Sequence, residues 1–161
     1  MKLIVRAGLV TAALVLAGCG GGSSSADRFI GAWSYTSGTL LVTYPNSDPA
    51  SSTVAGSVTI THGAASDLLY SAAANGGVCN LMFDVRGLVA SIRPGSACTL
   101  QLTDPFDGTP YDLTLSPSTW TLQLNGNALA EDGQGPCTEV EPAGSVPCNF
   151  SQSADLVRAT R

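Results

Sequence analysis

Thr119-Trp120-Thr121-Leu122-Gln123-Leu124-Asn125-Gly126 alternates strictly: Trp120, Leu122 and Leu124 fall on one side of an extended chain, Thr119, Thr121 and Gln123 on the other. Successive side chains of a strand leave opposite faces of the sheet, so a period of two marks a half-buried strand. Asn125-Gly126 ends the run with two residues that tolerate positive φ, as a tight hairpin turn requires. The same rhythm recurs along the chain. Val58, Ile60 and His62 alternate with Ser57, Thr59 and Thr61, and Cys79, Leu81, Phe83 and Val85 alternate with Asn80, Met82 and Asp84. Leu113 and Leu115 alternate with Asp112, Thr114 and Ser116. Helical periodicity is hard to find after residue 19, so the pattern predicts an all-β chain.

Turn chemistry separates these runs at Ser37-Gly38, His62-Gly63, Asn75-Gly76-Gly77, Arg86-Gly87, Ser116-Pro117 and Asn125-Gly126. Consecutive hairpins imply an antiparallel meander of about eight to ten short strands, which must close into a barrel or fold over as a β-sandwich to hide its apolar face and edges. Pro45 to Gly56, Thr103 to Pro110 and Asp132 to Pro147 are longer than hairpin turns and read as loops, the segments on which binding surfaces are most often built.

The chain opens with Lys2 and Arg6, then a short apolar run from Ala7 to Leu16, too short to span a bilayer as a helix of ~20 residues. It ends in Leu16-Ala17-Gly18-Cys19, which resembles the lipobox of bacterial lipoproteins. The resemblance implies a type II signal peptide over residues 1–18 and diacylglycerol transfer to the Cys19 thiol by the lipoprotein-processing machinery. A membrane anchor at the first residue of the mature chain follows. Residues 19–27 read as the lipidated cysteine and its tether, since Gly20-Gly21-Gly22-Ser23-Ser24-Ser25 has no side chains to pack and a reach on the order of 15 Å. Residues 28–161 are then a single β domain. In Gram-negative lipoproteins the residue after the lipidated cysteine governs sorting, and Gly20 there implies outer-membrane delivery, facing the periplasm or the cell surface.

Loss of Lys2 and Arg6 leaves five basic residues, all Arg, against twelve acidic ones, and net charge moves from −5 to −7. So acidic a domain is repelled by phosphate backbones and anionic lipid surfaces, which argues against nucleic-acid partners. Assigning Cys19 to lipid also leaves an even set, Cys79, Cys98, Cys137 and Cys148. In an exported chain an even set reads as disulfides, and Cys79–Cys98 with Cys137–Cys148 each enclose one short local excursion. A two-residue turn at Arg86-Gly87 would set Cys79 opposite Pro94, four residues short of Cys98, so the first pairing needs a kink at Pro94-Gly95.

Phe29-Ile30-Gly31-Ala32-Trp33 contains a Gly-x-Trp that is similar to the opening motif of lipocalins and related calycin barrels, and Arg158 follows Ala154 and Leu156 on one strand face near the other end. The resemblance implies a lipocalin-like barrel in which Arg158 packs over Trp33 to close the base, with Gly31, Trp33 and Arg158 as its motif residues. The mature region is also similar to small lipoproteins of Gram-negative bacteria with the same Gly-x-Trp start, β meander and late cysteines, a resemblance that supplies no activity.

Catalytic signals are weak. His62 is the only histidine, no Gly-x-Ser-x-Gly elbow accompanies it, and the carboxylates read as loop residues without partners across the sheet. Asp104-Pro105-Phe106-Asp107-Gly108 with Asp112 offers oxygen ligands but not the alternate spacing of an EF-hand, so a solvated acidic loop is expected and no metal or other cofactor. The expected function is a membrane-anchored, non-catalytic binding or structural module of the envelope with a protein partner, or alternatively a lipocalin-like carrier of a small hydrophobic ligand.

Overall fold

A computed structural model describes residues 24–74, 77–103, 108–141 and 144–159, and these are all-β apart from one 3₁₀ turn, Ser25–Arg28. The strands are β1 (Gly31–Thr43), β2 (Ala50–Thr53), β3 (Ser57–His62), β4 (Leu68–Ala74), β5 (Gly77–Arg86), β6 (Val89–Ile92), β7 (Cys98–Thr103), β8 (Pro110–Leu115), β9 (Thr119–Asn125), β10 (Ala128–Glu141) and β11 (Gly144–Arg158). All pairings are antiparallel, and the expected meander is present: β3, β4, β5 and β6 pair in succession, as do β9, β10 and β11. β6 and β7 behave as two halves of one strand, as do β8 and β9. Val89 to Ser91 pair with Gln123 to Thr121, and Cys98 to Thr103 pair with Leu115 to Pro110, so the broken strands run side by side. β1 pairs with both β3 and β11, and the hydrogen-bonded succession β1, β3, β4, β5, β6, β9, β10, β11 returns to its start.

The alternation holds where it was read. Val58, Ile60, Leu81, Phe83, Leu113, Leu115, Trp120, Leu122 and Leu124 are all buried, while their sequence neighbours face outward or are only partly covered. His62 departs from it. At the end of β3 it is exposed and meets Asp27 at 3.1 Å.

Several local expectations are corrected. The two tight turns are Gly87-Leu88 and Gly126-Asn127, one residue later than read, because Arg86 pairs with Val89 and Asn125 with Ala128. A primed hairpin turn needs positive φ at its first central residue, and glycine supplies it at φ +65° and +62°. Ser37-Gly38 is no turn: it lies inside β1, where Thr36 is an extra residue between Tyr35 and Ser37 in the register with β11. This bulge switches the parity of the strand, so that Trp33 faces the core before it and Leu40 and Val42 after it. Gly38 is required there by close approach, since a Cβ would lie 2.9 Å from that of Ala154 and 3.0 Å from that of Val54.

Pro45 to Gly56 is not all loop, for it contains β2, which folds back on β1 with Thr53 opposite Thr39. Asp132 to Pro147 is no loop either. It forms most of a long hairpin in which β10 and β11 pair from Ala128↔Val157 to Glu141↔Gly144. Gly133, Gly135, Pro136 and Pro147 hide the strand alternation in sequence. At Gly133 the glycine makes room for a neighbour, because a Cβ would meet the Trp120 indole at 2.6 Å. Packing also begins inside the stretch read as tether, with Ala26 buried in the 3₁₀ turn.

Candidate functional site

The interior divides along the strands. At one end Phe29, Trp33, Leu68, Phe83, Leu129 and Leu156 are fully buried. Trp33 is fully buried, donates from Nε1 to the Phe29 carbonyl at 2.8 Å, and lies opposite Arg158 in the β1–β11 register. The Arg158 guanidinium sits 4.4 Å from the Trp33 ring centroid and donates to the carbonyls of Ile30 and Arg28 at 2.7 and 2.6 Å. It therefore ties the chain entering β1 to the chain leaving β11. Gly31, at φ +141°, leaves room for that guanidinium, since a Cβ would lie 2.8 Å from Nη1. The three residues singled out by the Gly-x-Trp reading thus meet at one place.

Toward the other end the packing opens into a cavity of about 470 Å³. Its walls are apolar, formed by Leu40, Val54, Ala72, Leu100, Leu102 and Leu115 together with the Cys79–Cys98 disulfide, and its rim runs along Ser52 to Ser57, where β2 returns to β3. Both expected disulfides are present, and Cys137–Cys148 pins the β10–β11 hairpin at directly opposed positions. Cys79 does face Cys98. The β5–β6 register would carry Cys79 to Ser96, and a break at Pro94-Gly95, with Gly95 at φ +84°, supplies the two residues still needed.

The inner end of the cavity is polar. Tyr35 from β1, Tyr70 from β4, Trp120 from β9 and Gln152 from β11 all reach it, and behind them lies Glu131 of β10, fully buried. Tyr70 donates its hydroxyl to Glu131 Oε2 at 3.0 Å, Tyr35 OH lies 2.6 Å from Tyr70 OH and 3.5 Å from Oε2, and Gln152 Nε2 donates to Oε1. Trp120 Nε1 is buried with no hydrogen-bond partner, yet it is near enough to Glu131 to favour the ionised carboxyl. Burial pushes the Glu131 carboxyl up from 4.5 to about 7 despite the opposing influence of these donors, and burial beside that carboxyl raises the hydroxyls of Tyr35 and Tyr70 above their ordinary range. An apolar cavity with a few convergent polar groups and a perturbed acid at its floor is the usual form of a small-molecule site.

Of the other described residues considered from sequence, His62 and Asp112 do not line this cavity. Cys19 and residues 104–107 lie outside the described residues, and Asp112 is exposed on β8. Among the described residues no three His, Cys, Asp or Glu side chains come together as metal ligands, and no helix is long and apolar enough to cross a membrane. Reading the carboxylates as loop residues missed Glu131. The signal was present: Glu131 has the same strand parity as buried Leu129, so continuing the alternation past the Gly126-Asn127 turn points it inward. No family model, curated protein or solved structure matches the chain. Its functional reading rests on this site in an all-β domain.

Proposed function

We propose that the chain is a lipocalin-like barrel that holds a small hydrophobic ligand, carried on the outer membrane by a lipid on Cys19 and acting without catalysis. The cavity of about 470 Å³ carries this reading, because it is walled by leucines and floored by few polar groups, within the size range of ligand pockets of ~300–1,000 Å³. Two further features support the barrel. Its hydrogen-bonded strand succession returns to its first member, and Arg158 stacks on Trp33 as the lipocalin resemblance implies.

The other reading, an envelope module docking a protein partner, located its surface on loops at 45–56 and 132–147. The first of these supplies β2 and the cavity rim, and the second is a paired hairpin, so both favour the carrier. The test is to express the full chain, purify it from membranes in mild detergent, denature it, and analyse the released small molecules by mass spectrometry. A hydrophobe in near-stoichiometric amount, absent from a cavity-filled variant, is the expected result. Protein that is empty and stays empty when offered membrane extract overturns the proposal.

A further inference from the structure

Behind the floor of the cavity lies a carboxyl, Glu131, that has hydrogen-bond donors but, among the described residues, no cationic partner. Among the described basic side chains Arg93 pairs with Asp84, Arg158 covers Trp33, His62 meets Asp27, and Arg28 and Arg86 are exposed, whereas Glu131 is fully buried. The groups packed against Glu131 come from four strands, Tyr35, Tyr70, Trp120 and Gln152, and none of them is cationic. A carboxylate taken out of water needs a counter-charge or hydrogen bonds, and here only hydrogen bonds are supplied.

Those bonds use the donors of the floor. Tyr70 and Gln152 donate to Glu131 and Tyr35 can donate onward to Tyr70, while Trp120 Nε1, beside Glu131, has no partner but is buried away from the cavity surface. What the site keeps for a ligand is acceptors and aromatic rings: the Tyr35 oxygen, the Gln152 carbonyl, which makes none of these bonds, and the rings of Tyr35, Tyr70 and Trp120. One face of the Trp120 indole lies against Gly133, the Phe150 ring packs tilted against it with centroids 5.9 Å apart, and Trp120 also lines the cavity. Acceptors and π faces in front of a buried carboxylate suit a donor that is positively charged.

We infer that the ligand is an amphipathic cation, a primary or substituted amine whose apolar part lies along Leu40, Leu100, Leu102 and Leu115 and whose ammonium sits against Tyr35, Tyr70 and Trp120 in front of Glu131. This deepens the carrier reading and rests on it. The acidic chain adds a long-range field that concentrates cations near the rim. Because the ammonium supplies the missing counter-charge, its binding and ionisation of Glu131 favour one another. An aliphatic ammonium keeps its own proton up to about pH 10, so pH dependence below that belongs to the protein. Of the groups facing Glu131 only Tyr35 and Tyr70 titrate at all, and both are held above their ordinary range.

The experiment is calorimetric titration of the full chain with three probes of equal chain length: octylamine, octanol and octanoate. The order expected at about pH 8 is octylamine tightest and octanoate weakest, with octylamine losing about tenfold in affinity by about pH 6 as the carboxyl protonates, while octanol changes little. In Glu131→Gln the ratio of octylamine to octanol affinity falls toward one. The wild-type pH series stands by itself should that variant fold poorly. Octanol binding as tightly as octylamine at about pH 8, or an octylamine affinity indifferent to pH, overturns the assignment of an amine and leaves the carrier reading intact. Failure of all three probes, and of an uncharged fluorescent hydrophobe, overturns both.

Discussion

Replacing Glu131 with glutamine tests the polar floor directly, through the pH dependence of folding. In the unfolded chain the carboxyl titrates near 4.5, and in the folded chain near 7, chiefly because it is fully buried. Between these values the folded state binds the proton more tightly, so this group's stabilisation is fully present below about pH 4.5 and is lost as pH rises to about 7. At about 1.4 kcal/mol per pH unit the loss is roughly 3 kcal/mol. Glutamine has nearly the same shape and no charge. Its oxygen can accept from Tyr70, and Gln152 can turn its amide to meet the new N–H groups, so the variant keeps its bonds without the cost of ionisation. Urea unfolding with both disulfides intact, followed at intervals from about pH 5 to pH 8, should show wild-type stability falling by roughly 3 kcal/mol over this range and a much flatter profile for Glu131→Gln. A wild-type stability that stays level or rises toward pH 8, or two profiles that run parallel, would refute the reasoning.

Arg158→Ala removes a ring contact and two bonds to backbone carbonyls, and should cost about 2 kcal/mol in urea unfolding with little change in ligand affinity, because Trp33 lies at the fully buried end. The two disulfides close separations of 19 and 11 residues, and the loop-entropy relation gives about 3 kcal/mol for each. Paired serine substitutions should therefore destabilise the protein about equally. Only Cys79→Ser with Cys98→Ser should also weaken ligand binding, since that bridge is cavity wall, and equal effects on affinity from the two pairs would contradict the placement of the site. Cys19→Ser should abolish incorporation of labelled fatty acid and move the chain from membrane to soluble fractions on cell breakage; unchanged labelling would remove the proposed anchor.

Parity carried most of what was legible in the sequence. Trp120-x-Leu122-x-Leu124 and Cys79-x-Leu81-x-Phe83 announced their inward faces because hairpins held by tight turns keep a regular register. Legibility failed where parity breaks or where the inward residue is not apolar. At β1 the bulge at Thr36 shifts the phase, and Ser37-Gly38 imitates a turn although the glycine is there for the approach of Ala154 and Val54. In β10 the inward positions after Leu129 are Glu131 and Gly133, a charge and a glycine, which look like a loop until Trp120 is seen resting on Gly133 and Tyr70 bonded to Glu131. The cavity floor is assembled from β1, β4, β9, β10 and β11, residues up to 117 positions apart between Tyr35 and Gln152, and only the closed succession of strands brings them together. By contrast Gly31, Trp33 and Arg158 were legible from both ends of the chain, because a motif residue and its partner each have their own local signature.

Ala72 faces the cavity between Val58 and Cys79 in the strand register, and a tryptophan there would occupy the space assigned to ligand while remaining on the wall. The most direct measurement is a fluorescence titration of wild type and Ala72→Trp with N-phenylnaphthylamine, uncharged at neutral pH, with folding of both verified by circular dichroism. A binding cavity predicts saturable enhancement in wild type, with one site and Kd on the order of 1–10 μM, and at least a tenfold loss in the variant. No saturable binding by wild type, or equal binding by a folded Ala72→Trp, would contradict the claim that this domain is built around a ligand.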